Sequence, residues 1–359
     1  MLIQEPFDPQ NQGKIDAKST PRMRRLSEWV KAQFPGLAFE ITSASSDASF
    51  RRYFRVTLAD RSTRIVMDAP PEHEDCRPFL HVAELFAAAG AHVPHVYAAN
   101  PEEGFLLLAD LGNTSYLAAL EADRAGREAS ERARTLYREA CAALIALQGA
   151  SRPGALPDYD RALLLRELRL FPEWYVGKHL GISLSAAQET TLSGVFDALL
   201  ENALAQPQVF VHRDYHSRNL MLTETRNPGI LDFQDAVVGP ITYDLVSLLR
   251  DAYIDWEEEQ ELDWAIRYWE AARRAALPVR ADFSEFWRDY EWMGVQRQLK
   301  VLGIFARLFY RDGKELYLQY LPRVMGYLRR ASERYAELRP LPRLIDEFSG
   351  RQPAVALSF

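Results

Sequence analysis

His212-Arg213-Asp214-Tyr215-His216-Ser217-Arg218-Asn219, followed after an apolar–turn–apolar stretch by Asp232-Phe233-Gln234-Asp235, is the part of this chain that decides its fold. Asp214 precedes Asn219 by five positions, and Asn219 precedes Asp232 by thirteen. A carboxylate, an amide and a second carboxylate at these intervals suit phosphoryl transfer. One aspartate takes the proton of an attacking hydroxyl, while the amide and the second aspartate offer hard oxygens to Mg²⁺ on ATP. Asp214 is therefore the candidate catalytic base, and Asn219 and Asp232 are the candidate metal ligands. Leu220-Met221-Leu222, a turn at Asn227-Pro228-Gly229 and Ile230-Leu231 predict a hairpin that brings the two ligands together. His212 is expected to orient the loop through hydrogen bonds. His216 and Asp235 are candidates for substrate contact, Asp235 also for assisting the metal. Asp244, in Tyr243-Asp244-Leu245, is expected to cap a helix or to bond the loop backbone.

Outward from this stretch the chain has two characters. Before it, periodicity predicts a helix at 21–34, strands near 39–41, 50–58 and 64–68, a helix at 78–89, and strands at 93–98 and 105–108. After Asp110-Leu111-Gly112 the pattern is mostly helical, with helices expected at 127–149, 160–180, 186–205, 241–252, 257–276 and 283–310. The fold class expected is α+β, a protein-kinase-like bilobal fold. Residues 1–110 form its β-rich N-terminal nucleotide lobe, with polar residues 1–20 expected to be mobile. Residues 111–359 form a helical C-terminal lobe with the catalytic loop and the acceptor site.

Nucleotide phosphates are expected under the turn between the first two strands. A glycine-rich loop is usual there, because backbone N–H groups must approach closely. This chain has Ser45-Ser46-Asp47-Ala48-Ser49 instead, so Ser46, Asp47, Ala48 and Ser49 are candidate phosphate contacts. Protein kinases place a lysine on the third strand, but here Ile65-Val66-Met67-Asp68 carries none. Arg52 is the expected replacement cation, with Arg51 and Arg64 as rivals, and a solvated sheet face fits all three. Glu84 is the expected acidic partner on the following helix. Leu108 and Asp110 lie where the link between lobes should read the adenine edge, and Leu106 and Ile230 could flank the ring.

The rest of the composition narrows the partners. A net charge of −7 over 359 residues argues against broad nucleic-acid binding. Cys76 and Cys141 suggest no metal site or disulfide framework, and Cys141 reads as core packing. No apolar run approaches the roughly 20 residues that span a bilayer, and the N-terminus lacks an apolar signal segment. A cytoplasmic location is expected, without membrane or obligate protein partners.

The 212–244 region resembles the aminoglycoside phosphotransferase family of small-molecule kinases, and Asp214, Asn219 and Asp232 match its catalytic motifs. SSDASFRRYFRV (45–56), IVMDAPPE (65–72), GFLLLADLG (104–112), LFPEWYVGKHLG (170–181), the 211–245 block and MGVQRQLKVLGIFARL (293–308) are similar to that family's branch of anomeric amino-sugar kinases. The resemblance implies ATP- and Mg²⁺-dependent phosphorylation of the C1 hydroxyl of N-acetylmuramate or N-acetylglucosamine, in peptidoglycan recycling. A small-molecule amino sugar is then the partner. Glu173, Trp174 and Tyr175 are candidates for its wall, because aromatic faces suit pyranose rings; a helix start with core aromatics fits them too. Arg297 and Lys300 could meet a lactyl carboxylate or make surface or helix–helix ion pairs. Two rival readings stand: a family member acting on an aminoglycoside, choline or amino-acid hydroxyl, and a nucleotide-binding regulator without catalysis.

Overall fold

The computed structural model describes residues 20–46, 50–121 and 129–350, with backbone alone at 45–46. In chain order these form α1 (Pro21–Gln33), β1 (Phe39–Ser46), β2 (Arg52–Leu58), β3 (Thr63–Asp68), α2 (Arg77–Ala88), β4 (Val96–Asn100), β5 (Phe105–Ala109), α3 (Tyr116–Ala119), α4 (Glu131–Gly149) and α5 (Arg161–Leu168). A π-helix (Phe171–His179) follows, then α6 (Ala186–Ala205), β6 (Gln208–Val211), β7 (Leu220–Met221), β8 (Gly229–Ile230) and β9 (Val237–Pro240). The chain continues with α7 (Tyr243–Leu249), α8 (Glu258–Arg274), α9 (Phe283–Asp312), a 3₁₀ helix (Glu315–Tyr320), α10 (Leu321–Arg334) and α11 (Pro340–Phe348).

Two compact units result. One holds the described residues up to Leu120 together with Arg218–Ala236; the other holds Glu121–Ser217 and the residues from Val237 on. Composition alone grouped 111–359 together. The hairpin 218–236 instead packs with the first unit, because its backbone is tied there. Leu222 N–H donates to Thr114 O at 2.8 Å and Ile230 N–H to His92 O at 2.8 Å. Phe233 packs on Phe79 and Phe86, with centroids 4.7 and 5.9 Å away.

The first unit is built on a five-stranded antiparallel sheet, in the order β1-β2-β3-β5-β4. Alternation puts Ile41, Phe54, Val56, Val66, Phe105 and Leu107 into one cluster with Met23, Leu26 and Val30 of α1. The helix begins because Thr20 Oγ1 accepts from Met23 N–H at 3.2 Å and Pro21 needs no donor there. β1 runs on to Ser46 through a bulge between Ser43 and Ser45, where the small-polar run suggested a loop.

In the second unit α9 is the spine, thirty residues long and buried over most of its length. The helix expected over 160–180 breaks into α5 and the π-helix. Pro172 removes a backbone donor at the break, and Leu180 N–H bonds Tyr175 O at 3.0 Å in the wide π pattern. Gly303 of α9 permits the close approach: a Cβ there would lie 2.4 Å from the carbonyl carbon and oxygen of Leu170. Cys141 lies in the core, and burial pushes its thiol up to about 12. Among the described residues no helix is long and apolar enough to cross a membrane.

Candidate active site

The candidate metal ligands sit at the two ends of the β7–β8 hairpin. Leu220 pairs with Ile230, and Leu231 N–H donates to Asn219 O at 2.9 Å. That register sets Asn219 beside Asp232, with Nδ2 donating to Oδ2 across 3.4 Å. Asp232 is held at φ 61°, a left-handed backbone that costs a non-glycine residue about 1–3 kcal/mol and persists where the surroundings fix it. Here Gln234 Nε2 donates to Asp232 Oδ1 at 2.8 Å, and buried Phe233 anchors the turn. An amide oxygen and a carboxylate are hard donors of the kind Mg²⁺ takes alongside phosphate oxygens and water. The donor set therefore fits that ion.

Four arginines in and beside the sheet are divided among three carboxylates. Asp68, fully buried at the end of β3, stands opposite Arg52 in register. Arg52 donates to it through Nε, at 3.1 Å, and through Nη2. Arg22 of α1 donates to the other carboxylate oxygen through Nε at 2.7 Å and also reaches Glu103 O at 2.8 Å. Arg55 makes two bonds to Asp110, at 2.6 and 3.1 Å, and Gly112 N–H donates to the same carboxylate at 2.9 Å. Arg51 pairs with Glu74 at 3.0 Å.

These pairings show what the candidate cations and Glu84 meet in this structure. Arg52 is the partner of Asp68, because cross-strand register brings a buried carboxylate opposite it. Glu84 meets neither arginine, because it lies on the exposed face of α2. The carboxylate that Arg51 meets is Glu74, in the turn before α2, a residue that sequence reasoning did not single out. Arg64 lies over the Tyr97 ring at 4.5 Å and donates to Thr63 O. Leu106 and Leu108 are buried in β5 with backbones paired to β3 and β4. The side chain of Asp110 holds the turn after β5 rather than facing outward. Of the turn 46–49, Ser46 ends β1, while Asp47, Ala48 and Ser49 lie outside the described residues.

The candidate base belongs to the second unit, and its loop is pinned from several sides. Asp244, at the start of α7, accepts from the N–H of His212 at 2.6 Å and of Arg213 at 3.0 Å. It bonds the loop backbone, as expected of it. Burial pushes its carboxyl up to about 7, with Asp214 adding and the two N–H groups and Arg297 opposing. His212 Nδ1 accepts from Asp214 N–H at 3.2 Å, which puts the ring proton on Nε2. Ser217 N–H and Tyr253 N–H both donate to Asp251, each at 2.9 Å. Asp214 itself is buried.

Behind the loop lies a second fixed charge. Glu167 accepts from Arg213 Nη2 at 2.6 Å, from Lys300 Nζ at 2.9 Å and from the Tyr159 hydroxyl. Burial alone would raise Glu167, but Lys300, Arg213 and the Tyr159 bond outweigh it and hold the carboxyl at about 2. Lys300 also donates to the Tyr243 hydroxyl at 2.7 Å. Lys300 and Arg297 are both buried. Lys300 is a loop support, and neither residue offers an exposed cation for a carboxylate substrate.

Glu173, Trp174 and Tyr175 share the π-helix. Glu173 is exposed, Trp174 is half-buried, and Tyr175 stacks on Phe171 at 5.4 Å. Burial raises the Tyr175 phenol. His216 is buried against Tyr253, whose ring also meets Tyr320 at 5.0 Å and Phe305 at 6.2 Å. Tyr253 thus gives His216 an aromatic neighbour. No sequence spacing pointed to it, because His216 lies in the loop before β7 and Tyr253 in the irregular stretch after α7.

This fold and these motifs define a phosphotransferase of the small-molecule-kinase type. Residues 40–283 match the model of the phosphotransferase enzyme family known as APH, and the chain belongs to that family. It is an enzyme that transfers phosphate to a hydroxyl acceptor. It is 53% identical to an N-acetylmuramate/N-acetylglucosamine kinase of Neisseria meningitidis, over 92% of this chain and 96% of that one. A protein of the same name from Pseudomonas putida is 46% identical, over 91% and 96% of the two chains. The choline kinase of Streptococcus pneumoniae has the same fold, with a TM-score of 0.59 at 10% identity over 86% of this chain and 99% of its own.

Proposed function

We propose that this chain phosphorylates the C1 hydroxyl of N-acetylmuramate and N-acetylglucosamine with ATP, giving sugar 1-phosphates during peptidoglycan recycling in the cytoplasm. The observation that carries this reading is the 46–53% identity, over more than nine-tenths of the chain, to relatives named for those two sugars. Asp214 accepts the proton of the C1 hydroxyl. The sugar oxygen bonds to the γ-phosphorus, the bond from that phosphorus to the β–γ bridging oxygen breaks, and ADP leaves with the electron pair. His212 and Asp244 keep Asp214 in position for this. Asn219 and Asp232 hold Mg²⁺, which offsets phosphate charge when bound. Backbone groups of the turn formed by Ser46, Asp47, Ala48 and Ser49 approach the phosphates, and the Leu108–Asp110 link reads the adenine edge. His216, Asp235, Glu173, Trp174 and Tyr175 contact the sugar.

The test is incubation with ATP, Mg²⁺ and each amino sugar, with ³¹P NMR to locate the phosphate. A C1 phosphate on both sugars is expected. Phosphate on another hydroxyl, or turnover only of aminoglycosides or choline in parallel reactions, would overturn the acceptor assignment.

A further inference from the structure

The third strand carries no lysine, and the arginines in and beside the sheet have distinct partners. Arg22 and Arg52 converge on Asp68, Arg55 is doubly bonded to Asp110, and Arg64 rests on Tyr97. Arg51 is placed differently. It immediately precedes β2, and its side chain is largely buried. Two successive contacts clamp it: Phe50 stacks on His73 at 4.4 Å, and Arg51 Nη2 meets Glu74 at 3.0 Å. The clamp's far side is itself fixed, since the N–H groups of His73 and Glu74 both donate to Pro70 O at 2.9 Å.

Electrostatics point the same way. Burial works against the charge of Arg51, but Tyr53, Glu74, Asp232 and Asp235 outweigh it and raise the guanidinium. Asp232 is the candidate metal ligand, so this cation lies in the field of the residues expected at the phosphates.

We propose that Arg51, positioned by Glu74, is the cation that binds the ATP phosphates in place of the lysine that protein kinases carry on their third strand. The arginine–glutamate pair takes the part of the lysine–glutamate pair, moved from β3 and α2 to the start of β2 and the 70–76 turn. A guanidinium suits the task, because its planar fork meets two phosphate oxygens at once. This rests only on the nucleotide part of the proposed function and is independent of the acceptor.

The test measures ADP and adenosine binding to the full chain by calorimetry in Mg²⁺, with no acceptor present. Arg51→Gln is expected to weaken ADP at least tenfold and to leave adenosine within twofold of wild type. Arg52→Gln is expected to leave both within twofold. Adenosine carries no phosphate, so its binding also reports an intact site. If Arg51→Gln does not fold, Arg51→Lys is read by the same comparison, with an ADP loss of threefold or more expected. ADP and adenosine both unchanged, both weakened equally, or a selective ADP loss in Arg52→Gln instead, would each overturn the assignment.

Discussion

The loop around Asp214 and the arginines of the five-stranded sheet solve the problem of placing charge in opposite ways. In the loop, buried carboxylates hold backbone. Asp244 takes two successive N–H groups, and Asp251 takes two more. On the sheet, carboxylates hold side chains. Asp68 shares two arginines, while Glu74 and Asp110 each take one. A proton acceptor must stand at one distance from one hydroxyl, so its backbone is fixed. A guanidinium that meets a polyphosphate can move on its stem, so a side-chain pair is enough to aim it.

The comparison breaks most visibly at Asp214. Asp214→Asn is expected to lower kcat by about 10²–10⁴, as loss of a general base does, with little change in thermal stability. A steady-state assay beside a thermal melt checks both. Phosphorylation at the wild-type rate would mean that the loop's elaborate support serves no proton transfer.

Glu167→Gln attacks the support instead of the base. It leaves Arg213 and Lys300 facing each other without their shared anion. Breaking a buried ion pair from one side costs about 3–5 kcal/mol, measured by urea unfolding at pH 7. The pH dependence has a definite sign. The folded Glu167 carboxyl, at about 2, lies below its ordinary value near 4.5. Its contribution is therefore fully present above about pH 4.5 and is lost as pH falls towards 2. The variant should lose that part of the acid-side slope. A variant as stable as wild type, with an unchanged slope, would place the anchoring of Arg213 elsewhere.

Gly303→Ala tests how far the rigid plan of the second unit extends. The new Cβ would lie 2.4 Å from Leu170 backbone atoms, so α9 or the start of the π-helix must move. Overpacking of this kind costs about 1–3 kcal/mol. Calorimetric melting should show it, and the KM for sugar should rise if Glu173, Trp174 and Tyr175 contact the acceptor. An unchanged KM with a lowered Tm would detach the π-helix from sugar binding.

Much of this was legible in the sequence, for identifiable reasons. The hairpin joining Asn219 to Asp232 follows from short apolar runs around Asn227-Pro228-Gly229, which are local signals. Asp244 as a support for the loop backbone was equally readable, since a carboxylate opening a helix beside the motif has few other uses. Partner choice was not legible. Arg51, Arg52, Arg55 and Arg64 differ little as letters, and only the register of β2 against β3 sets Arg52 opposite Asp68. Glu84 had the expected place on α2 but the wrong face, while Glu74 lay in a turn that periodicity does not describe. A helix–helix ion pair was among the readings of Lys300, but its anion, Glu167, is over a hundred positions away, so no spacing could name it.

The smallest effect is expected at Arg52, and it discriminates between the two plans. Asp68 is fully buried, but Arg52 is 42% exposed and Arg22 remains on the other carboxylate oxygen. An exposed cation contributes about 0–1 kcal/mol to such a pair, because water screens it and its ordering costs side-chain entropy. Arg52→Ala should therefore lower stability in urea by no more than about 1 kcal/mol. Arg22→Ala should cost more, because Arg22 is less exposed and also holds Glu103 O. A loss near the 3–5 kcal/mol of an uncompensated buried charge in Arg52→Ala would show that Arg22 cannot neutralise Asp68 alone. The sheet would then be wired like the loop, with each charge indispensable, and the contrast between side-chain aiming and backbone fixing would fail at its simplest point.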